Sequence, residues 1–288
     1  MKPGGILISV LQLGPLDYAT GLRLQQKLVQ LRKDGRIGDV LLLLEHTPVI
    51  TLGRNAKAAN VIASPAQLAE RGVELFECDR GGDVTFHGPA QLVGYPIFDL
   101  RGFASADGKR KTLGAVEYVR RLEEVLIRTC ADFRIPSERV EGLTGVWTSN
   151  LRSEAATDYV GTAAPGHPGR AKLGRECAKI AAIGVHISRG VTSHGFALNV
   201  NVDLGYFDLI IPCGITSKPV TSMAKELGEK LPLQDVAHSL SRNFGVAFQS
   251  QMLWLETLDA LLDHPVGVPL KAPSELRKLH GEEDTFWA

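Results

Sequence analysis

Hydrophobic and polar positions along this chain switch repeatedly between a period of two and a period near 3.6, and each switch marks an element. Residues 5–13 read as a first strand. Residues 17–32 place Leu22, Leu24, Leu28, Val29 and Leu31 at helical spacing, and Gly35 and Gly38 break the pattern. In residues 39–45 the run Val40-Leu41-Leu42-Leu43-Leu44 has no polar alternation, which predicts a strand buried on both faces. Ser64-Pro65 opens a short helix, with proline in its first turn and Gly72 at its end, and residues 73–78 form the next strand. Val84 and Phe86, then Leu92, Val93, Tyr95 and Ile97, predict a hairpin folded at Gly88-Pro89. Thr85 and His87 fall on the face opposite Val84 and Phe86, because side chains alternate along a strand.

Residues 99–112 are polar and glycine-bearing, a surface loop. Gly102 and Gly108-Lys109 do not make a phosphate loop: five residues separate the glycines, and Arg110 stands where Ser or Thr is needed. Residues 114–133 give the clearest helix, with Val116, Val119, Leu122, Leu126, Cys130 and Phe133 in register, so Cys130 reads as a small core residue. Residues 139–147 predict one strand. Residues 151–176 lack periodicity and read as a mobile surface insertion. Strands follow at 179–187, 192–201 and 206–211, the last running into Pro212-Cys213-Gly214. Residues 220–223 start a helix and 233–244 form another. For 248–262 periodicity leaves strand and helix open, and the tail after His264 is polar and Pro-rich. No internal repeat is visible.

Composition narrows the class. With 288 residues and 44% hydrophobic, the chain can form one large α/β domain or two small ones. Lys+Arg and Asp+Glu both number 32, so nothing argues for nucleic acid, whose binding needs a basic face. No apolar run approaches the roughly 18 residues that span a bilayer, and the apolar stretch behind Met1-Lys2-Pro3-Gly4-Gly5 is too short for a secretory signal. The four cysteines, at 78, 130, 177 and 213, form no C-x-x-C pair, so reduced thiols in the cytoplasm are expected.

The chemistry concentrates in a few places. The stretch from Arg80 to Tyr95 opens with Arg80-Gly81-Gly82 and presents Thr85 and His87 beside that flexible loop. On residue chemistry alone, an ordinary turn with a core histidine fits it slightly better than a site. Cys213, between Pro212 and Gly214, is either a nucleophile at a turn or a turn cysteine of no consequence, and the residues leave these even. Cys78 is disfavoured as a nucleophile by its acidic neighbours Glu77 and Asp79. Lys179 precedes Ile180-Ala181-Ala182, an apolar setting that costs an ammonium unless it has a partner or a task; a strand-edge lysine in water is the alternative. His87, His186 and His194 lack metal-ligand spacing, so no metal is expected.

Taken as words, these stretches resemble the lipoyl(octanoyl) transferases, which move an octanoyl group from acyl carrier protein to a lipoyl-domain lysine. Arg80, Gly81, Gly82, Thr85, Phe86, His87, Gln91 and Tyr95 match the family signature; Ala90 departs, standing where Gly or His is usual. The segment from His46 through Pro48-Val49 to Leu52-Gly53-Arg54 resembles another family segment bordering the same pocket. The likeness spans residues 6–248, apart from the insertion.

The resemblance implies a biotin/lipoyl protein ligase-like fold: α/β, with a mixed, largely antiparallel sheet and outer helices. It implies an acyltransferase domain over 1–250, with its insertion at 151–176 and an extension over 251–288. It assigns Cys213 as the acyl carrier and Lys179 as its proton carrier. It assigns substrate binding to Arg80, Gly81, Gly82, Asp83, Val84, Thr85, Phe86 and His87, to Ala182, Ile183 and Gly184, and to Gly195, Phe196 and Ala197. The donor it implies is octanoyl-acyl carrier protein. The acceptors are the lipoyl domains of 2-oxoacid dehydrogenases and the glycine cleavage H protein, with no cofactor. At about 0.8 kcal/mol per buried methylene, an octanoyl tail gains roughly 5 kcal/mol. The alternative is an ATP-dependent lipoate or biotin protein ligase, which shares the fold and a comparable lysine but lacks the cysteine of Pro212-Cys213-Gly214.

Overall fold

A computed structural model describes residues 5–105, 112–149, 177–214 and 218–263. The expected insertion at 151–176 and the tail after His264 lie outside the described residues. In chain order the elements are β1 (Ile6–Leu16), α1 (Tyr18–Lys33), β2 (Asp39–His46), β3 (Val49–Leu52), α2 (Pro65–Glu70), β4 (Glu74–Glu77), β5 (Val84–His87) and β6 (Gln91–Ile97). These are followed by α3 (Ala115–Asp132), β7 (Ser137–Val140), β8 (Leu143–Ser149), β9 (Cys177–Ser188), β10 (Val191–Asn199), α4 (Met223–Leu227), α5 (Leu233–Phe248), β11 (Ser250–Leu255) and α6 (Ala260–Asp263).

Eight strands form one sheet in the order β11-β1-β2-β6-β10-β9-β8-β7. β1 runs parallel to both β11 and β2, and the remaining pairs are antiparallel. The unbroken apolar run of β2 has a direct cause. Leu41 and Leu43 join the core under α3 and α5, while Val40, Leu42 and Leu44 join a second core under α1. Helices cover both faces at this strand, so both sets of alternating side chains must be apolar. Asp17 caps α1 by accepting from the Thr20 amide, and Ser64 and Gln67 form a reciprocal capping box on α2.

Three local expectations change. Val84 and Phe86 do not form a hairpin with Leu92–Ile97: β5 pairs with β3 in a separate sheet of order β4-β3-β5, while β6 joins the large one. The chain turns between two sheets at Gly88-Pro89, and that separation opens the space between them. The single strand expected at 139–147 is two, β7 and β8, joined through Gly142 at φ +76°. Residues 206–211 are not a strand. Leu204–Leu209 is a 3-10 turn whose Phe207 and Leu209 pack with Val84 and Phe86, and only Ile210 makes a bridge, to Val61.

Smaller differences follow from packing. Val116 on α3 is 77% exposed, and Tyr118, fully buried, takes its place in the apolar stripe. The segment expected to be a polar surface loop buries Leu100 and Phe103. The described part of the extension expected over 251–288 is not separate from the fold, because β11 extends the large sheet beside β1 and Leu258 and Leu261 pack under α1. Cys130 is fully buried, and burial pushes its thiol up to about 12, as suits a core residue.

Candidate active site

The space between the two sheets is floored by four small residues. On β9 and β10, Ala182 pairs with Ala197 and Gly184 with Gly195, and all four line one slot. Ile183 and Phe196 border the slot, but their side chains pack with the core on the opposite face of the sheet. Val93 and Tyr95 of β6 form one wall. Tyr18 of α1, the segment Arg80, Gly82 and Asp83, and Thr85 and His87 of β5 form the others. The walls are largely apolar and the floor has almost no side chain, a shape that fits an unbranched alkyl group.

The Arg80–Asp83 segment is laced to the loop after β3. The amides of Gly53, Arg54 and Asn55 donate to the carbonyls of Asp83, Arg80 and Gly82 at 3.3, 3.0 and 3.1 Å. Gly53 permits this approach, since a Cβ there would stand 2.4 Å from the Gly82 oxygen. Arg80 is buried and its guanidinium is spent on oxygens. Nε donates to Thr51 Oγ1 at 3.2 Å, and Nη2 donates to the Thr51 and Asp83 carbonyls at 2.6 and 2.7 Å. Gly81 donates to the Val185 carbonyl at 3.0 Å, so this loop crosses β9 at the edge of the floor.

Two buried histidines have definite protonation states. His46 Nδ1 meets only the Leu16 carbonyl, at 3.0 Å, so it carries the proton and Nε2 accepts from the Tyr95 hydroxyl at 2.6 Å. His87 Nδ1 donates to Gln91 Oε1 at 2.9 Å, because the Gln91 amide group is used on the Phe86 carbonyl and Asn199 Oδ1. Burial pushes His46 down to about 4 and, with His46 and Arg80 nearby, His87 down to about 3, so both rings are neutral at pH 7. His194 donates from Nε2 to Asp79 Oδ1 at 2.6 Å, and His186 donates from Nδ1 to Asp79 Oδ2. Burial opposes ionisation of Asp79, but these two bonds hold it below its ordinary range; burial pushes His194 down, against the pull of Asp79. Among the described residues, no group of three His, Cys, Asp or Glu is arranged to hold a metal ion.

A second, smaller cavity adjoins the slot, sharing Thr85 and Ala182 with it; Gln91, Lys179, Asn199, Phe207, Pro212 and Val220 complete its lining. Lys179 is 8% exposed and faces this cavity from β9. Its main chain is fixed on both sides: the Lys179 amide donates to the Pro219 carbonyl at 2.8 Å, and the Thr221 amide donates to the Lys179 carbonyl at 2.9 Å. Cys213 lies in the 3-10 turn Pro212–Gly214, where Gly214 at φ +67° packs near Asp83 and Asn60. Pro212 therefore brings the cysteine's turn to the cavity that Lys179 lines.

Of the residues expected to bind substrate, Arg80, Gly82, Asp83, Thr85, His87, Ala182, Ile183, Gly184, Gly195, Phe196 and Ala197 line the slot. Val84 and Phe86 do not. Their alternate face of β5 packs with Val202, Phe207 and Leu209 in the small sheet's core. Gly81 turns its amide to β9. Tyr18, Val93, Tyr95 and His194 line the slot without having been singled out as binding residues. Tyr95 stands in the signature and could have been found there; Tyr18 comes from a distant helix and carries no local signal. Ala90, the departure from the signature, sits at φ +62° with its amide bonded to Glu45 Oε2 at 2.6 Å, a left-handed backbone that glycine adopts at less cost than alanine.

Comparison with known proteins agrees with this architecture. Residues 17–245 match the family described as the lipoyl protein ligase A/B catalytic domain. The octanoyltransferase of Koribacter versatilis (strain Ellin345) is 57% identical over 96% of this chain and 98% of its own. That of Acidobacterium capsulatum is 55% identical over 89% of this chain and 96% of its own. Among solved structures, a bi-partite lipoate protein ligase from Thermoplasma acidophilum superposes with a TM-score of 0.62 at 13% identity, covering 89% of this chain and 91% of that one, a likeness of fold. With its ligase-type mixed sheet and its extended identity to these relatives, the chain belongs to the octanoyltransferase family of acyltransferases.

Proposed function

We propose that the protein transfers an octanoyl group from octanoyl-acyl carrier protein to a lysine of lipoyl domains, through a thioester on Cys213. The observation that carries this reading is the meeting of two cavities: an apolar slot with a side-chain-poor floor runs into a small chamber bordered by Lys179 and by the turn of Cys213. Lys179 as an ammonium favours the Cys213 thiolate. The thiolate sulfur bonds to the thioester carbonyl carbon, and the carrier's sulfur leaves, taking a proton from Lys179. The acceptor amine then attacks the Cys213 thioester. Lys179 takes the amine's proton and the Cys213 thiolate departs, which restores the starting state. A thioester is already activated, so the cycle needs neither ATP nor a metal. The acceptors are lipoyl domains of 2-oxoacid dehydrogenases and of the glycine cleavage H protein, and the place of action is the cytoplasm. Among the described residues, no helix is long and apolar enough to cross a membrane.

The test is an intact-mass measurement after mixing with octanoyl-acyl carrier protein, without ATP. The expected adduct is one octanoyl group, located on Cys213 by digestion, released by hydroxylamine and absent from Cys213→Ala. An adduct on Cys78, Cys130 or Cys177, or acylation only with free acid and ATP, would overturn the reading in favour of another nucleophile or a ligase.

A further inference from the structure

We propose that His194 is the end wall of the acyl slot and sets the length of chain the slot accepts. This rests on the reading that the slot holds an acyl group. Strand register orders the slot. On β9 this face of the sheet runs from Lys179 in the small chamber through Ala182 and Gly184 in the slot to His186 in an outer groove; on β10 the order is Asn199 in the chamber, Ala197 and Gly195 in the slot, and then His194. The carbonyl lies at the Lys179–Asn199 end, so the methyl end of the chain points toward His194.

His194 is the shared partition between two spaces. One face borders the slot; the other borders an outer groove lined by Gln25, Gln26 and Lys33 of α1 with Asp79, His186 and Ser193. Pairing with Val185 would normally send the ring to the helix-covered face, where Val185 packs. The backbone of His194 is instead left-handed, at φ +55°, and its ring stands between slot and groove. Such a conformation is uncommon for a residue with a Cβ and persists only where the surroundings hold it. Two contacts do so: the His194 amide donates to Gln25 Oε1, and the ring donates to Asp79, whose second oxygen is held by His186. The ring is thus a pinned plug, 3% exposed, with open space behind it.

Removing the plug joins slot to groove and makes room for further methylenes. The test compares kcat/KM for octanoyl-, decanoyl- and dodecanoyl-acyl carrier protein. His194→Gly deletes the ring at a backbone conformation glycine adopts freely. The decanoyl-to-octanoyl ratio is expected to rise about tenfold, the gain from two more buried methylenes, with a further rise for dodecanoyl. Asp79→Ala leaves the ring but unpins it from an exposed position that does not threaten the core; its ratio is expected to rise a few-fold. If both variants slow all three donors alike and leave the ratios unchanged, His194 is a packing residue and the inference fails. Should His194→Gly not fold, the ratios of Asp79→Ala decide alone. Absence of any octanoyl adduct on the wild-type enzyme would instead overturn the acyl-transfer reading itself.

Discussion

Lys179 holds its ammonium 5.0 Å from the centroid of the Trp147 ring, its cross-strand partner between β9 and β8. The register shifts between Val146 and Trp147, which lets Lys179 face the same side as Ala182 although odd and even positions would oppose them. Gly145 gives the lysine its room: at φ +118°, a Cβ there would stand 3.0 Å from Lys179 Cε and 2.6 Å from the Ala181 oxygen. A desolvated ammonium over an indole face gains about 0.5–2 kcal/mol, and Trp147 is 1% exposed.

Trp147 should therefore position Lys179. Trp147→Leu is expected to lower kcat for octanoyl transfer roughly tenfold, in line with a loss near 1.4 kcal/mol, with KM little changed. Trp147→Phe keeps an aromatic face and should recover part of the rate. Steady-state kinetics on folded variants check this; a Leu variant as fast as wild type would show that the ring only fills space.

Lys179 itself should separate the two half-reactions. Arginine can stabilise a thiolate but does not deprotonate in proteins. Lys179→Arg is thus expected to form some acyl-enzyme and then stall before the lipoyl domain, whereas Lys179→Ala slows both steps, by about 10²–10⁴-fold. Single-turnover acylation, followed by deacylation with a lipoyl domain, reads the two steps apart. Unchanged rates in Lys179→Ala would remove this residue from the mechanism.

Stability should fall on mild acidification, because His46 and His87 are buried as neutral rings. Their folded values, about 4 and about 3, lie below the 6.5 of an exposed imidazole. The unfolded chain therefore binds more protons below pH 6.5. The contribution of these rings is complete above that pH and is lost as pH falls toward 4 and 3. Unfolding should take up close to two protons near pH 5, a slope of about 1.4 kcal/mol per pH unit for each. Urea unfolding at stepped pH measures it. His46→Phe starts less stable, with the Tyr95 hydroxyl left unpaired, and its slope should drop by about one proton. An equal slope in that variant would assign the effect to other groups.

Much of the site is legible in local words. Arg80-Gly81-Gly82, Thr85 and His87 come from one short stretch whose glycines and alternation already indicate a loop and a facing pair, and Ala182, Gly184, Gly195 and Ala197 show their smallness directly. The buried central strand follows from Val40 to Leu44 alone, and the α3 core stripe from its spacing, apart from Val116 and Val119, which lie outside the core. What strands and helices exist is a matter of period, capping and turn residues, and those are local properties.

Partnership is not local. Val84–His87 and Gln91–Ile97 each read as strands beside a turn, yet they join different sheets, because β5 finds β3 and β6 finds β2 and β10. Two adjacent strands look the same in sequence whether they pair with each other or with distant chains, since alternation specifies which face is buried and not what covers it. The same reason hides Tyr18, which enters the slot from α1, and the link of Asp79 to both His186 and His194, which joins residues more than a hundred positions apart. Chemistry-bearing residue types were thus determined by sequence; the slot they enclose, its end wall and the ring beside Lys179 were decided only when the two sheets came together.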